Sequence, residues 1–230
     1  MRRRQALFLA ALLAASAPAW GTTYYVRVDG GTDQQCNGQS DAPYPGSGAG
    51  QPCAWSHPFY ALTGGGAWKL LGGDTLVVGP GAYRMGYGAP NTAWCDAGGS
   101  WDCRLPPLPS GSAATPTRLL GKGWDAGCAA APQLWGAERA DSVLDLSGTS
   151  HALLACLEVT DRAGCAEFHA TPSVACQRDT APYGDWASMG LYADNSSNVT
   201  LRDLDLHGLA SQGVRAGRLS NWTVERVRIA

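Results

Sequence analysis

A 23-residue repeat in the C-terminal part of the chain restricts the possible folds more than any other feature. Ser188 to Ala210 (SMGLYADNSSNVTLRDLDLHGLA) and Ser211 to Ala230 (SQGVRAGRLSNWTVERVRIA) align without a gap. Gly190/Gly213, Ser197/Ser220, Asn198/Asn221 and Thr200/Thr223 are identical, and Leu191/Val214, Leu201/Val224, Leu204/Val227 and Leu206/Ile229 stay apolar. Within a unit, Val199 and Leu201, then Leu204 and Leu206, alternate with polar residues, the period of a half-buried strand. The alternation slips between Leu201 and Leu204, so the unit bends between two strands that both face inward. Asn195-Ser196-Ser197-Asn198 is turn chemistry, because Asn tolerates left-handed backbone. One such unit cannot bury its apolar side alone; stacked on a copy of itself, it can. A leucine-rich repeat would place Asn inside its leucine ladder, and a helical repeat would show a period near 3.6. Neither pattern is present.

Stacking makes a prediction about charge. Equivalent positions in adjacent coils lie about 4.8 Å apart, which sets Arg202 over Glu225, Asp203 over Arg226 and Asp205 over Arg228. All three pairs are opposite in sign and favour the register. A fainter copy, Ser150 to Val159, aligns with Ser197 to Leu206 at an offset of 47, close to two coils. Residues 161–186 are expected to loop out between them.

Upstream, Thr23 to Val28 (TYYVRV) reads as a strand, followed by a Gly-rich, Cys-bearing loop to Cys53. Pro58 to Leu71 predicts a short, glycine-interrupted helix. Gly72 to Tyr83 (GGDTLVVGPGAY) reads as turn, strand, turn, and Thr117 to Gly121 and Ser142 to Leu146 are further strands. Gly86 to Pro116 is expected to be an ordered, irregular excursion.

The N-terminus has the form of a secretory signal. Arg2, Arg3 and Arg4 precede the apolar run Ala6 to Ala15, and Ala17-Pro18-Ala19 or Ala19-Trp20-Gly21 supplies a cleavage pattern. The run is shorter than the roughly 20 residues that span a bilayer; the paired arginines permit a twin-arginine route, but the residues after them fit that signal poorly. Removal of residues 1–21 leaves 14 Lys+Arg against 19 Asp+Glu, a charge near −5. An acidic chain without a basic run is a poor nucleic-acid binder. No later segment reads as transmembrane.

Eight cysteines, Cys36, Cys53, Cys95, Cys103, Cys128, Cys156, Cys165 and Cys176, in an exported chain predict disulfides. Zinc is disfavoured by the lack of a Cys-x-x-Cys pair and by scattered histidines. Sequence alone leaves the pairing open. The simplest scheme joins neighbours, Cys36 with Cys53, Cys95 with Cys103 and Cys165 with Cys176, leaving Cys128 with Cys156.

With these elements the chain resembles the pectate-lyase-like right-handed parallel β-helix proteins. The resemblance rests on YYVRVDGGTD with its following loop and helix, on GGDTLVVGPGAYR, and on the repeat from Gly190 to Ala230. It implies an all-β solenoid with an N-terminal cap helix and disulfide-bearing loop insertions. The implied layout is a signal at 1–21 and one domain over 22–230. In that domain, the cap and first coil cover about 22–85, an irregular insertion about 86–116, and coils about 117–230 with an insertion about 161–186. Ile229-Ala230 closes a strand with no capping element after it, so the β-helix is expected to be incomplete at its C-terminus.

The resemblance implies a polysaccharide lyase or a glycoside hydrolase acting on a polysaccharide. The alternatives are a non-catalytic envelope or surface polysaccharide-binding, adhesin-like protein and a structural spacer. A uronate lyase needs a base and a cation. Lys69 and Lys122, the only lysines, fall outside the clear repeat, and ladder pairing accounts for Arg202, Arg226 and Arg228 but not Arg215. A hydrolase needs two carboxylates roughly 5 to 10 Å apart; Asp203 and Asp205 face outward, and Asp185 and Asp194 flank the repeat. No catalytic set is identified. Asp185, His207 and Arg215 are the substrate-binding candidates. His169 beside Glu167 is read as an ordinary surface residue. No cofactor is expected; Asp179, Asp185 and Asp194 could bind Ca²⁺ but do not have its ligand spacing. Trp94, Trp101, Trp124, Trp135 and Trp186 are placed in loops, where they stack on sugars or, more commonly, pack a loop. Asn195, Asn198 and Asn221 match glycosylation sequons but are read as turn residues.

Overall fold

A computed structural model describes residues 21–95, 103–137, 140–162, 187–209 and 211–230, with main chain only at 187–188. The expected signal, the Cys165–Cys176 pair, Asp185, His169, Trp101 and Trp186 lie outside the described residues. The chain is mostly β, and every pairing between its named strands is parallel.

The strands form three ribbons. The first runs β1 (Thr23–Gly31), β2 (Thr75–Val78), β4 (Thr117–Gly121), β7 (Ser150–Asp161), β9 (Ser197–Leu206) and β11 (Thr223–Glu225). The second joins β3 (Ala82–Met85), β5 (Gln133–Gly136), the C-terminal halves of β7 and β9, and β12 (Arg228–Ile229). The third is β6 (Ala140–Asp145), β8 (Ala187–Asp194) and β10 (Gln212–Gly217). Strands β7 and β9 each serve two ribbons because they bend midway.

Inward side chains stack in columns. Tyr24, Leu76, Leu119, Leu154, Leu201 and Val224 follow one another across the first ribbon. Tyr83, Leu134, Val159, Leu206 and Ile229 do so across the second, and Leu144, Leu191 and Val214 across the third. Leu76, Leu134, Leu154, Leu191 and Leu206 are fully buried. Burying one such side chain contributes about 2 kcal/mol, so these columns hold the strands together.

The 23-residue register is realised: Thr200 pairs with Thr223, Val224 with Leu201 and Arg228 with Asp205. The bends have a common backbone solution. Gly148, Asn195 and Arg218 take positive φ at one corner, His151, Asn198 and Asn221 at the next, and Cys156, Asp203 and Arg226 at the third. The phase slip between Leu201 and Leu204 is therefore a left-handed residue at Asp203 (φ 53°). The side chains at the second corner also stack, with Asn221 Nδ2 donating to Asn198 Oδ1 at 3.4 Å.

Three expectations are corrected. The 47-residue offset is a single layer, because β7 pairs with β9 directly. No helix spans 58–71. Pro58–Ala61 is one 3₁₀ turn, and the chain then doubles back so that Leu62 bridges Trp68 in antiparallel fashion. Gly64, Gly65 and Gly66 favour a turn over a helix, and Thr63 Oγ1 accepts from Ala67 N at 3.2 Å across it. Trp135 lies in strand β5, not a loop.

Three predicted disulfides are formed: Cys36–Cys53, Cys95–Cys103 and Cys128–Cys156. No helix among the described residues is long and apolar enough to cross a membrane.

Candidate functional site

The chain between β4 and β5, residues 122–132, folds over the third corner of the stack. Its root is fixed by close approach, since a Cβ on Gly121 would lie 1.9 Å from the Cys156 carbonyl oxygen. Tight turns follow, with Trp124 N donating to Gly121 O (3.1 Å) and Cys128 N to Gly123 O (3.0 Å). The Cys128–Cys156 disulfide then ties the loop to the corner residue of β7, with the Cα atoms 5.4 Å apart. Asp203 occupies the same corner one layer on, and Arg226 the layer after that.

Two adjoining clefts lie between this loop and the stack, sharing Gly127 and Asp203. One, of about 530 Å³, also takes in Glu158 and Asp205. The other, of about 620 Å³, is lined by Trp124, Asp125, Arg202 and Arg226 as well. The Arg202 guanidinium lies 5.3 Å from the centre of the Trp124 ring.

The ionised groups of the cleft are largely engaged with one another. Arg226 grips Asp203 through Nε (2.5 Å) and Nη2 (2.9 Å). That hydrogen bond holds the Asp203 carboxyl below the usual carboxylate range, against the opposing effect of desolvation. Arg228 Nη1 reaches both oxygens of Asp205 at 3.1 and 3.2 Å. Two of the three predicted charge pairs are thus made. Arg202 and Glu225 are register partners, but Arg202 turns onto Trp124 and lies 3.9 Å from Asp203. A planar guanidinium stacks well on an indole face.

Glu158 accepts from Gln133 Nε2 at 2.8 Å, and one of its oxygens lies 3.0 Å from His207 Nε2. Arg162 bonds Gln133 in turn and sits 4.6 Å from the Trp135 ring centre. His207 is therefore at the margin of the cleft, joined to it through Glu158. Arg215 is on the third ribbon, 6.0 Å from the Tyr192 ring centre, in a separate shallow depression. The described residues do not bring the two candidates together. Lys69 and Lys122, considered as lyase bases, are bound to Asp33 (2.7 Å) and Asp41 (2.6 Å). Among the described residues no cluster of His, Cys, Asp or Glu could hold a metal ion.

Sequence reasoning did not single out Glu158 or Asp125. The 47-residue offset places Glu158 on Asp205, and the Cys128–Cys156 pairing carries Trp124 and Asp125 to the corner, so both signals were available. No family model matches the chain, and no curated protein matches it in sequence.

Proposed function

We propose that the protein is an exported right-handed parallel β-helix that binds a carbohydrate polymer in the cleft under the 122–132 loop. The three ribbons of parallel strands with residues of positive φ at their corners support the solenoid reading. The N-terminal Arg-plus-apolar pattern and the disulfides support export. The observation that carries the binding reading is the cleft itself: an indole beside carboxylates and guanidinium groups, in a trough that crosses successive layers. Sugars offer C–H faces that pack on an aromatic ring and hydroxyls that bond to carboxylates and arginines.

Binding of a polysaccharide panel by the full chain, followed by affinity electrophoresis, tests this. Trp124→Ala should weaken binding about tenfold, whereas Arg215→Ala should leave it unchanged. Failure of the wild type to bind any polymer would reject the reading.

A second reading, hydrolysis, is favoured by one observation. Glu158 and Asp205 are register partners on adjacent strands and line one cleft, and a pair of carboxylates is what glycosidases use. It requires release of reducing ends by the wild type and loss of that release in Glu158→Gln.

A further inference from the structure

We infer that the cleft selects an uncharged glycan over a polyuronate or sulfated one; this rests on the reading that the cleft binds carbohydrate. A polyanion needs cations with free donor pairs, ideally guanidinium forks. Here two of the three guanidinium groups are bound to the protein's own carboxylates, while Arg202 Nε is buried without a hydrogen-bond partner. Arg226 gives Nε and Nη2 to Asp203, and Arg228 gives its Nη1 to both oxygens of Asp205. Arg202 is laid against the Trp124 ring and the Asp203 side. An incoming carboxylate could take Arg226 or Arg228 only by breaking one of these pairs, leaving a stranded aspartate, and at Arg202 it would approach the neighbouring Asp203 carboxylate.

The count of charges points the same way. Asp125, Glu158, Asp203 and Asp205 line the two clefts, opposed by Arg202 and Arg226 and, through Asp205, by Arg228. One carboxylate remains in excess, on a chain whose net charge is −2. A neutral polyol meets no such penalty. Its hydroxyls donate to the lone pairs the carboxylates have left and accept from guanidinium N–H groups not aimed at Asp203 or Asp205.

The test compares neutral polymers (glucan, xylan, mannan) with polygalacturonate and alginate on the full chain at low salt. A neutral polymer should bind at least about tenfold more tightly than either polyuronate at low salt, because the cleft's excess carboxylate repels a polyanion. Asp125→Lys, an exposed change in the cleft wall, should raise polyuronate affinity about tenfold relative to neutral-polymer affinity. Tighter, salt-sensitive binding of a polyuronate to the wild type would overturn this inference while leaving the carbohydrate reading in place. No gain in Asp125→Lys would overturn the charge argument. Binding of neither class would overturn the carbohydrate reading and this inference with it.

Discussion

In the N-terminal layers Thr23 pairs with Thr75, Thr75 with Arg118 and Thr117 with Ala152, a different step along the chain each time. Between the last two layers Thr200 pairs with Thr223 and Met189 with Gln212, so two ribbons share one step. The bonds follow the same division. Upstream they are particular to one place: Asp74 caps Thr22 N and Leu71 N, each at 2.7 Å. Trp55 Nε1 bonds Cys36 O at 2.9 Å, and Gly73 N bonds Thr117 Oγ1 at 2.9 Å. Downstream they join equivalent positions of the last two layers: Asn on Asn and Arg on Asp. An irregular layer needs contacts that nothing else in the chain duplicates, whereas a regular layer needs only to match its neighbour. Removing a contact should therefore cost more upstream or at the seam than in the repeat.

Leu154 stands at that seam, fully buried between Leu119 and Leu201. Leu154→Ala should cost about 4 kcal/mol in urea denaturation, with both parts unfolding together. Independent transitions would break the comparison into two separate units.

Loss of the Cys36–Cys53 bridge, which closes a separation of 17 residues, should cost about 3 kcal/mol in the double Ser variant. A negligible cost would mean that the hydrogen bonds of this segment suffice without it.

His57 gives the N-terminal region a pH response. Its Nδ1 accepts from Phe59 N (3.1 Å) and its Nε2 lies 2.9 Å from Arg84 O, so the neutral ring satisfies both. Burial pushes its pKa down to about 4 from about 6.5 in an unfolded chain. The unfolded chain thus binds the proton first. Stability should be full above about pH 6.5 and decline toward pH 4, by up to about 3 kcal/mol. His57→Asn, which keeps an acceptor for Phe59, should flatten that slope; an unchanged slope would assign it to other groups.

The smallest effect is expected in the ladder. Arg228→Ala should cost about 0.5 kcal/mol and less as salt is added. A loss above about 2 kcal/mol would show that the ladder pairs organise the layers rather than decorate them.

The same division explains what could be read from sequence. Contacts between Ser188 and Ala230 join equivalent positions, so periodicity exposes the register, the charge pairs at Asp203 and Asp205, and the bend at Asp203. Cys36–Cys53 and Cys95–Cys103 were legible because short separations favour closure, and Cys128–Cys156 as the pair left over. The 3₁₀ turn at Pro58–Ala61 was not, since its fate depends on Thr63 and three glycines rather than on an apolar period. The single-layer meaning of the 47-residue offset was hidden because an inserted segment and an extra coil have similar lengths. Arg202 was assigned to Glu225 by register; its contact with Trp124 depends on a loop that arrives from outside the repeat. Glu158 of β7 gains Gln133 from β5 and His207 from just beyond β9.

The corners with left-handed residues have a further consequence, for the order in which the chain acquires its structure. Because each bend recurs at the same place in successive layers, a newly emerged stretch of about 23 residues can dock on the layer before it without waiting for distant sequence. Growth of the C-terminal stack can then keep pace with the emergence of the chain, while the N-terminal layers, whose partners lie at unequal steps, set the delay before that growth begins.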